Sequence, residues 1–512
     1  MFPTLVTRRF FQSRGVRAGA LLSLATIVLL VAFIMQSLPA SLFSDEGIVT
    51  VVVVGCFMVM LCISVAGATA RTSDVILLQR RVAFFLWWFL LISEAVFDHM
   101  GDTIRSFEGS FSPEAYGEGV IWALSFAAVL ILSLGRPAYL RQLFRSSNKW
   151  LSLFALVCLM SVGYSLAQLY ALAWAFKLVL VVLLLQLCRS TIDDVEGVIA
   201  FLRVTMWAFL VLSAAPLVAA IASPETAFVN GRLADPTFLS PIAACLMLLA
   251  LLLNSLESRL SYGFAGAFGA FVMILAFGKA GIVAGILSAL LFLIMLRKLR
   301  LGFILILGMA VLAFIVVSFT QVASYVHFYA GTSQVVTLTG RTDVWAAAIP
   351  EMRQKLLLGH GYLASYFAWA FAKNRLSTAG HLHNGFLEVI YNNGIIGLLP
   401  LVAFFWVTAK NLVVALRSVW QVRRNTTLHV RQLYLLTLGC TAIFVNLFLN
   451  GLFEASFGAR AVSLFMLLIA IFILSEILVQ FTSRFAVKGT RDVPGPVIEA
   501  VVSGIPIPET NS

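Results

Sequence analysis

The chain has 512 residues, 61% of them hydrophobic and only 11% charged, with a mean hydropathy of +0.99. Soluble domains carry about 25% charged residues, so this composition excludes a soluble globular protein and describes a multi-pass membrane protein. The formal net charge of +12 does not point to nucleic acid, because the basic residues fall in short clusters between apolar runs, where they report membrane topology.

A bilayer core takes roughly 20 apolar residues per helix. Runs of that kind lie near 18–37, 47–68, 82–97, 119–135, 150–166, 168–187, 198–221, 240–255, 262–277, 281–296, 302–321, 394–414, 432–450 and 460–481. They predict an all-α polytopic membrane protein with about 12–14 transmembrane helices. The first run is longer than a signal-peptide core and reads as a retained anchor. The expected layout is an N-terminal transmembrane bundle over 1–321, a large loop with short helices over 322–393, C-terminal transmembrane helices over 394–481, and a disordered tail over 482–512. The six cysteines (Cys56, Cys62, Cys158, Cys188, Cys245 and Cys440) fall in or beside apolar runs without metal-site or disulfide spacing, and read as core or lipid-facing residues.

Between the runs the loops sort by charge. Arg8, Arg9, Arg14 and Arg17, then Arg80 and Arg81, then Arg136, Arg141, Arg145 and Lys149 share one side if the spans alternate. Arg297, Lys298, Arg300, Arg417, Arg423, Arg424 and Arg431 join them. Short basic loops stay in the cytoplasm, so both termini are expected there. The loops 98–118, 222–239 and 322–393 then face the periplasm or exterior, with His99, His327, His360, His381 and His383, while His429 is cytoplasmic. External cations run against the positive-inside bias and each needs a reason. Arg232, Arg341, Arg353, Arg375 and Lys279 are of this kind. An arginine fork suits phosphate oxygens and a lysine supplies a point charge, so cations on separate external loops could converge on one anionic ligand. The opposing reading pairs Arg341 with Asp343 and Arg232 with Asp235.

The stretch HLHNGFLEVIYNNGIIG, residues 381–397, concentrates polar groups at the mouth of an apolar run. Asn384 is a good N-cap. Phe386, Leu387, Val389 and Ile390 follow at helical spacing, with Glu388 one turn from Asn384. Asn392-Asn393-Gly394 marks a break before the chain enters the membrane. His383 thus precedes a short amphipathic helix, where an imidazole can act as a general base. Nothing in the spacing calls for His381, and no nearby pair has metal-ligand spacing.

His383-Asn384, nine residues, and then Gly394-Ile395-Ile396-Gly397 resembles the His-(Asn/Ser/Gln)-x9-Gly-x-x-Gly signature of the O-antigen ligase and polymerase family. GRTDVW at 340–345 with LLLGHGY at 356–362 resembles the block before that signature, and GRLADPTFLSP at 231–241 resembles an earlier arginine loop. Lys279 stands where many members have a basic residue after a span. The resemblance covers roughly 150–480 in organisation and is most specific over 340–400. It implies a class C membrane glycosyltransferase-like fold and transfer of a glycan from an undecaprenyl-diphosphate donor to an acceptor hydroxyl, without metal, cofactor or nucleotide sugar. By position, Arg232 and Arg341 would hold the diphosphate, with Lys279 a further candidate. His383 would be the base, and Asn384, Gly394 and Gly397 would cap and support its helix. The implied partners are an undecaprenyl-diphosphate-linked glycan, an acceptor glycan or lipid A–core, and membrane lipids, with the site on the periplasmic face of a bacterial inner membrane. Two features depart from the pattern: the Pro usual before LLGHG is Leu here, and the N-terminal spans are more numerous. Ligase and polymerase share these motifs, and TGRTDVW looks slightly more like an exopolysaccharide polymerase. The rival reading is a transporter or flippase of lipid-linked oligosaccharides, for which Lys177 is the plainly mid-span charge.

Overall fold

A computed structural model describes residues 73–98, 113–134, 143–144, 148–166, 168–222, 228–229, 232–233, 236–276, 278–298, 308, 341–365, 382–422, 428–454 and 462–491. The runs expected near 18–37 and 47–68 and all of 302–321 but Gly308 lie outside these residues, as do Cys56, Cys62, His99, His327, Arg375 and His381. The helices are α1 (Ser73–Asp98), α2 (Pro113–Leu134), α3 (Asn148–Ser161), α4 (Gln168–Thr191), α5 (Val195–Ala222), α6 (Pro236–Glu257), α7 (Leu260–Leu275) and α8 (Lys279–Met295). They continue with α9 (Arg341–Gln354), α10 (Gly385–Val422), α11 (Leu428–Phe453) and α12 (Ser463–Arg491). A two-residue antiparallel ribbon, β1 (Phe228–Val229) on β2 (Arg232–Leu233), sits between α5 and α6.

The chain is an all-α polytopic membrane protein. Among the described residues six helices are long and apolar enough to span a bilayer: Tyr170–Thr191, Val195–Val218, Phe238–Glu257, Gly385–Trp420, Leu428–Phe453 and Ser463–Ser483. Shorter apolar helices cover Ile121–Leu130, Asn148–Tyr164, Leu260–Leu275 and Lys279–Met295. The sequence reading counted the last two as full spans. At 16 and 17 residues they rise about 24–26 Å, less than the roughly 30 Å hydrocarbon core. The division placed between residues 393 and 394 coincides with the break of α10 at Gly394, while α12 runs to Arg491, beyond the expected 481. Thr482 and Ser483 return their hydroxyls to the Val479 and Gln480 carbonyls, which lets polar residues continue the helix.

α6 is the central element: from Leu239 to Ala250 every residue is buried. A helix apolar on all sides belongs inside a bundle. Lipid offers no hydrophobic drive for helix association, so close contact depends on small residues. A methyl group on Gly269 of α7 would lie 2.9 Å from the Ala243 carbonyl oxygen, and one on Gly285 of α8 would lie 2.9 Å from the Ala244 side chain. In the same way Gly439 of α11 packs directly against Leu252.

These contacts set the register. Leu252 meets Gly439, and Asn446 Nδ2 donates to Cys245 Sγ at 3.2 Å, so α6 and α11 run antiparallel. Tyr434 OH donates to the Met295 carbonyl at 3.1 Å, so α8 and α11 do too. The start of α6, the start of α8 and the end of α11 therefore share one end of the bundle. The opposite end carries its own ion pairs: Arg80 with Asp193, Arg189 with Glu476, and Arg203 with Glu257.

α10 breaks at Gly394, whose φ of 62° and ψ of −164° are not helical. The break is clamped by residues 356–361. Ile395 N donates to the Leu356 carbonyl at 2.9 Å and Ile396 N to Leu357 at 3.2 Å. In return His360 N and Gly361 N donate to the Tyr391 and Asn392 carbonyls, both at 2.8 Å. A side chain on Gly394 would collide with the Leu357 carbonyl. Substitution Gly394→Ala combines a left-handed φ with that collision, a cost of at least ~1–3 kcal/mol. It is expected to lower the unfolding temperature of the detergent-solubilised protein by several degrees. Gly263→Ala, where nothing lies within 4 Å, is expected to leave it unchanged or raise it.

Candidate active site

His383 stands just before α10 with a φ of 50°, in the left-handed region rarely occupied outside glycine. Three contacts hold this turn. Asn384 Oδ1 accepts from Phe386 N and Leu387 N, both at 3.0 Å, forming the N-cap of α10. Its amide Nδ2 donates to the Leu452 carbonyl at 2.9 Å, tying the cap to the end of α11. Trp345 Nε1 of α9 donates to the Leu382 carbonyl at 2.8 Å.

The helix behind His383 is anchored by a buried carboxylate. Glu388 accepts from Leu382 N at 2.9 Å and from the Ser365 hydroxyl. One turn later Asn392 Oδ1 accepts from Ser365 N at 2.9 Å, and Asn393 Nδ2 donates to Ser161 Oγ at 2.7 Å. The polar density of residues 381–397 is thus mostly scaffold. Gly397 lies within the second, helical half of α10, where its bare Cα faces Asn393 Cβ, while the bend belongs to Gly394 alone. His360 is also scaffold: its ring stacks on Tyr391 with centroids 4.5 Å apart, and its Nε2 lies 3.2 Å from the Glu351 carbonyl.

The residue that organises the site is Glu454, at the end of α11. Its Oε2 lies 3.0 Å from His383 Nδ1, and its Oε1 accepts from Arg341 Nη2. One carboxylate therefore joins α9, α10 and α11. The side chains are 7% exposed for Glu454, 15% for Arg341 and 21% for His383, so the trio is sheltered but reachable. Arg341 thus pairs with an acid 113 residues away in sequence; the side chain of Asp343, the acid of the opposing reading, lies outside the described residues. The contact at Nδ1 orients the imidazole ring.

Arg232 and Lys279 occupy the same end of the bundle. Arg232 lies in β2, a few residues before α6, opposite Val229. Lys279 is the first residue of α8 and is exposed. Ser240 Oγ donates to the Gly278 carbonyl at 3.1 Å, which fixes the starts of α6 and α8 together. Asp235 lies outside the described residues. Among the described residues no group of three or more His, Cys, Asp or Glu is placed to hold a metal ion.

Residues 264–402 match the O-antigen ligase family. The match spans about a quarter of the chain, and it is that segment which is similar to the family. No curated protein gives a significant match. The O-antigen ligase segment runs from α7 through α9 to the first half of α10. It contains Lys279, Arg341, His383, Asn384, Gly394 and Gly397, and it excludes Arg232 and Glu454.

Asn384 performs two separable tasks, and substitutions can divide them. Asn384→Ala removes both the cap and the tie to Leu452, with an expected cost of about 1–2 kcal/mol. Asn384→Ser keeps a capping oxygen but cannot donate across to α11. Thermal unfolding of the solubilised protein should rank wild type above Asn384→Ser, and Asn384→Ser above Asn384→Ala.

Proposed function

We propose that this protein is a membrane glycosyltransferase. It transfers a glycan from an undecaprenyl-diphosphate donor to an acceptor hydroxyl at the periplasmic face, as the ligase or polymerase of a surface polysaccharide. The observation that carries this reading is that Arg341 and His383 share the carboxylate of Glu454. A base and an anion-binding fork side by side are what diphosphate-leaving glycosyl transfer needs.

In the proposed reaction the acceptor hydroxyl gives its proton to His383 Nε2 as its oxygen attacks the anomeric carbon. The bond from that carbon to the phosphate oxygen breaks, and the lipid diphosphate leaves with the electron pair. Arg341 stabilises the charge that gathers on the diphosphate, and a preorganised cation in a sheltered site does so better than water. Arg232 and Lys279, at the same end of the bundle, are the proposed further contacts to the donor. The orientation rests on the basic residues. Arg80, Arg297 and Arg431 lie at helix ends remote from His383, and the positive-inside rule puts such an end in the cytoplasm.

Lys177, the charge that would favour a transporter, is buried between two tryptophans, its Nζ 4.2 Å from the Trp122 ring centre and 4.0 Å from that of Trp174. Cation–π contacts of this kind account for a buried ammonium locally, without a permeation path.

His383→Ala should lower glycan transfer by 10²-fold or more, the scale of a lost general base, with the protein still present in the membrane. Arg341→Lys should cost about tenfold or more, because a point charge does not replace the fork. Normal amounts and lengths of surface polysaccharide in cells carrying either variant would contradict the assignment. In a deletion strain, lipid-linked polymer accumulating without long-chain lipopolysaccharide identifies a ligase, and single-repeat products identify a polymerase.

A further inference from the structure

The two oxygens of Glu454 are divided between a permanent cation and an imidazole. Arg341 cannot lose its charge, so in the unliganded protein it neutralises most of the carboxylate that His383 also contacts. A carboxylate shared in this way stabilises an imidazolium less than one facing it alone. Glu388, on the helix that His383 precedes, is a further acid within electrostatic reach of His383. That carboxylate is already spent on Leu382 N and the Ser365 hydroxyl.

We propose that Glu454 couples donor binding to proton acceptance: a diphosphate arriving at Arg341 draws the guanidinium's charge away from Glu454, and the released carboxylate makes His383 a stronger base. This rests on the donor-site reading above. The guanidinium has five donors, so the ion pair need not part completely. Any negative charge that Arg341 comes to share lowers its neutralisation of Glu454. Glu454 is a positioning residue here, acting on the reaction through His383. No covalent step is added: the proton still passes from the acceptor hydroxyl to Nε2, and the lipid diphosphate still leaves with its electron pair.

The test uses the full chain in lipid nanodiscs with ring-¹⁵N-labelled histidine, and undecaprenyl diphosphate as the probe. The His383 signal is assigned by its loss in His383→Gln. At one fixed pH, the protonated fraction of His383 in wild type is expected to rise twofold or more when the probe binds. In Glu454→Gln most of that rise should disappear, although the probe's own field still reaches the ring. Glu454→Asp, with a shorter reach, should give an intermediate rise, and it carries the test if Glu454→Gln does not fold. A full rise in Glu454→Gln or Glu454→Asp overturns the coupling, because the diphosphate would then act on His383 directly. So does an unchanged fraction in wild type while phosphorus NMR shows the probe bound. Failure of wild type to bind the probe at all overturns the donor-site reading, and the coupling with it.

Discussion

A carboxylate at the end of an apolar helix, almost out of water, has to be neutralised. Glu454 is such a group, and its neutralisation fixes the geometry around it. Arg341 comes from α9 and His383 from the turn before α10, and neither is near α11 in sequence. Removing one partner of a sheltered ion pair leaves a costly uncompensated charge. The contact therefore constrains three elements at once, and Asn384 doubles it through the Leu452 carbonyl.

The second constraint is the clamp at Gly394. Residues 356–361 exchange backbone hydrogen bonds with residues 391–396, and they can do so because a left-handed glycine interrupts α10. Gly359, with φ of 71°, allows the matching close approach to Asn392 and Asn393, while Gly361, with φ of 103°, lies against Ser165. The LLLGHGY and NNGIIG segments are thus two halves of one joint. Its task is to hold the His383 turn at the top of a membrane-crossing helix. The Leu that replaces Pro before this block leaves the joint intact, since the Leu356 and Leu357 carbonyls make their hydrogen bonds.

Much of this was legible in the sequence. Among the described residues the apolar runs located the membrane helices, because burial in lipid demands continuous hydrophobicity, but the start of α1, both ends of α10 and the end of α12 lie eight to ten residues beyond the runs. The Asn384 cap and the Gly394 break were visible because both follow from local backbone chemistry. Glu454 was not visible. It sits in GLFEASFG with no motif, lies 71 residues from His383, and reads as an ordinary acid closing a span. A usable signal did exist: an acid at the external end of a highly apolar helix, on the face where unexplained arginines gather.

The central claim is that the anionic donor meets Arg341 beside His383. Cryo-electron microscopy of the full chain in nanodiscs with undecaprenyl diphosphate tests this most directly. Diphosphate density within hydrogen-bonding distance of Arg341, on the His383 and Glu454 side of the bundle, is the predicted result. Density at the opposite end, against Arg80, Arg189 or Arg203, would contradict it.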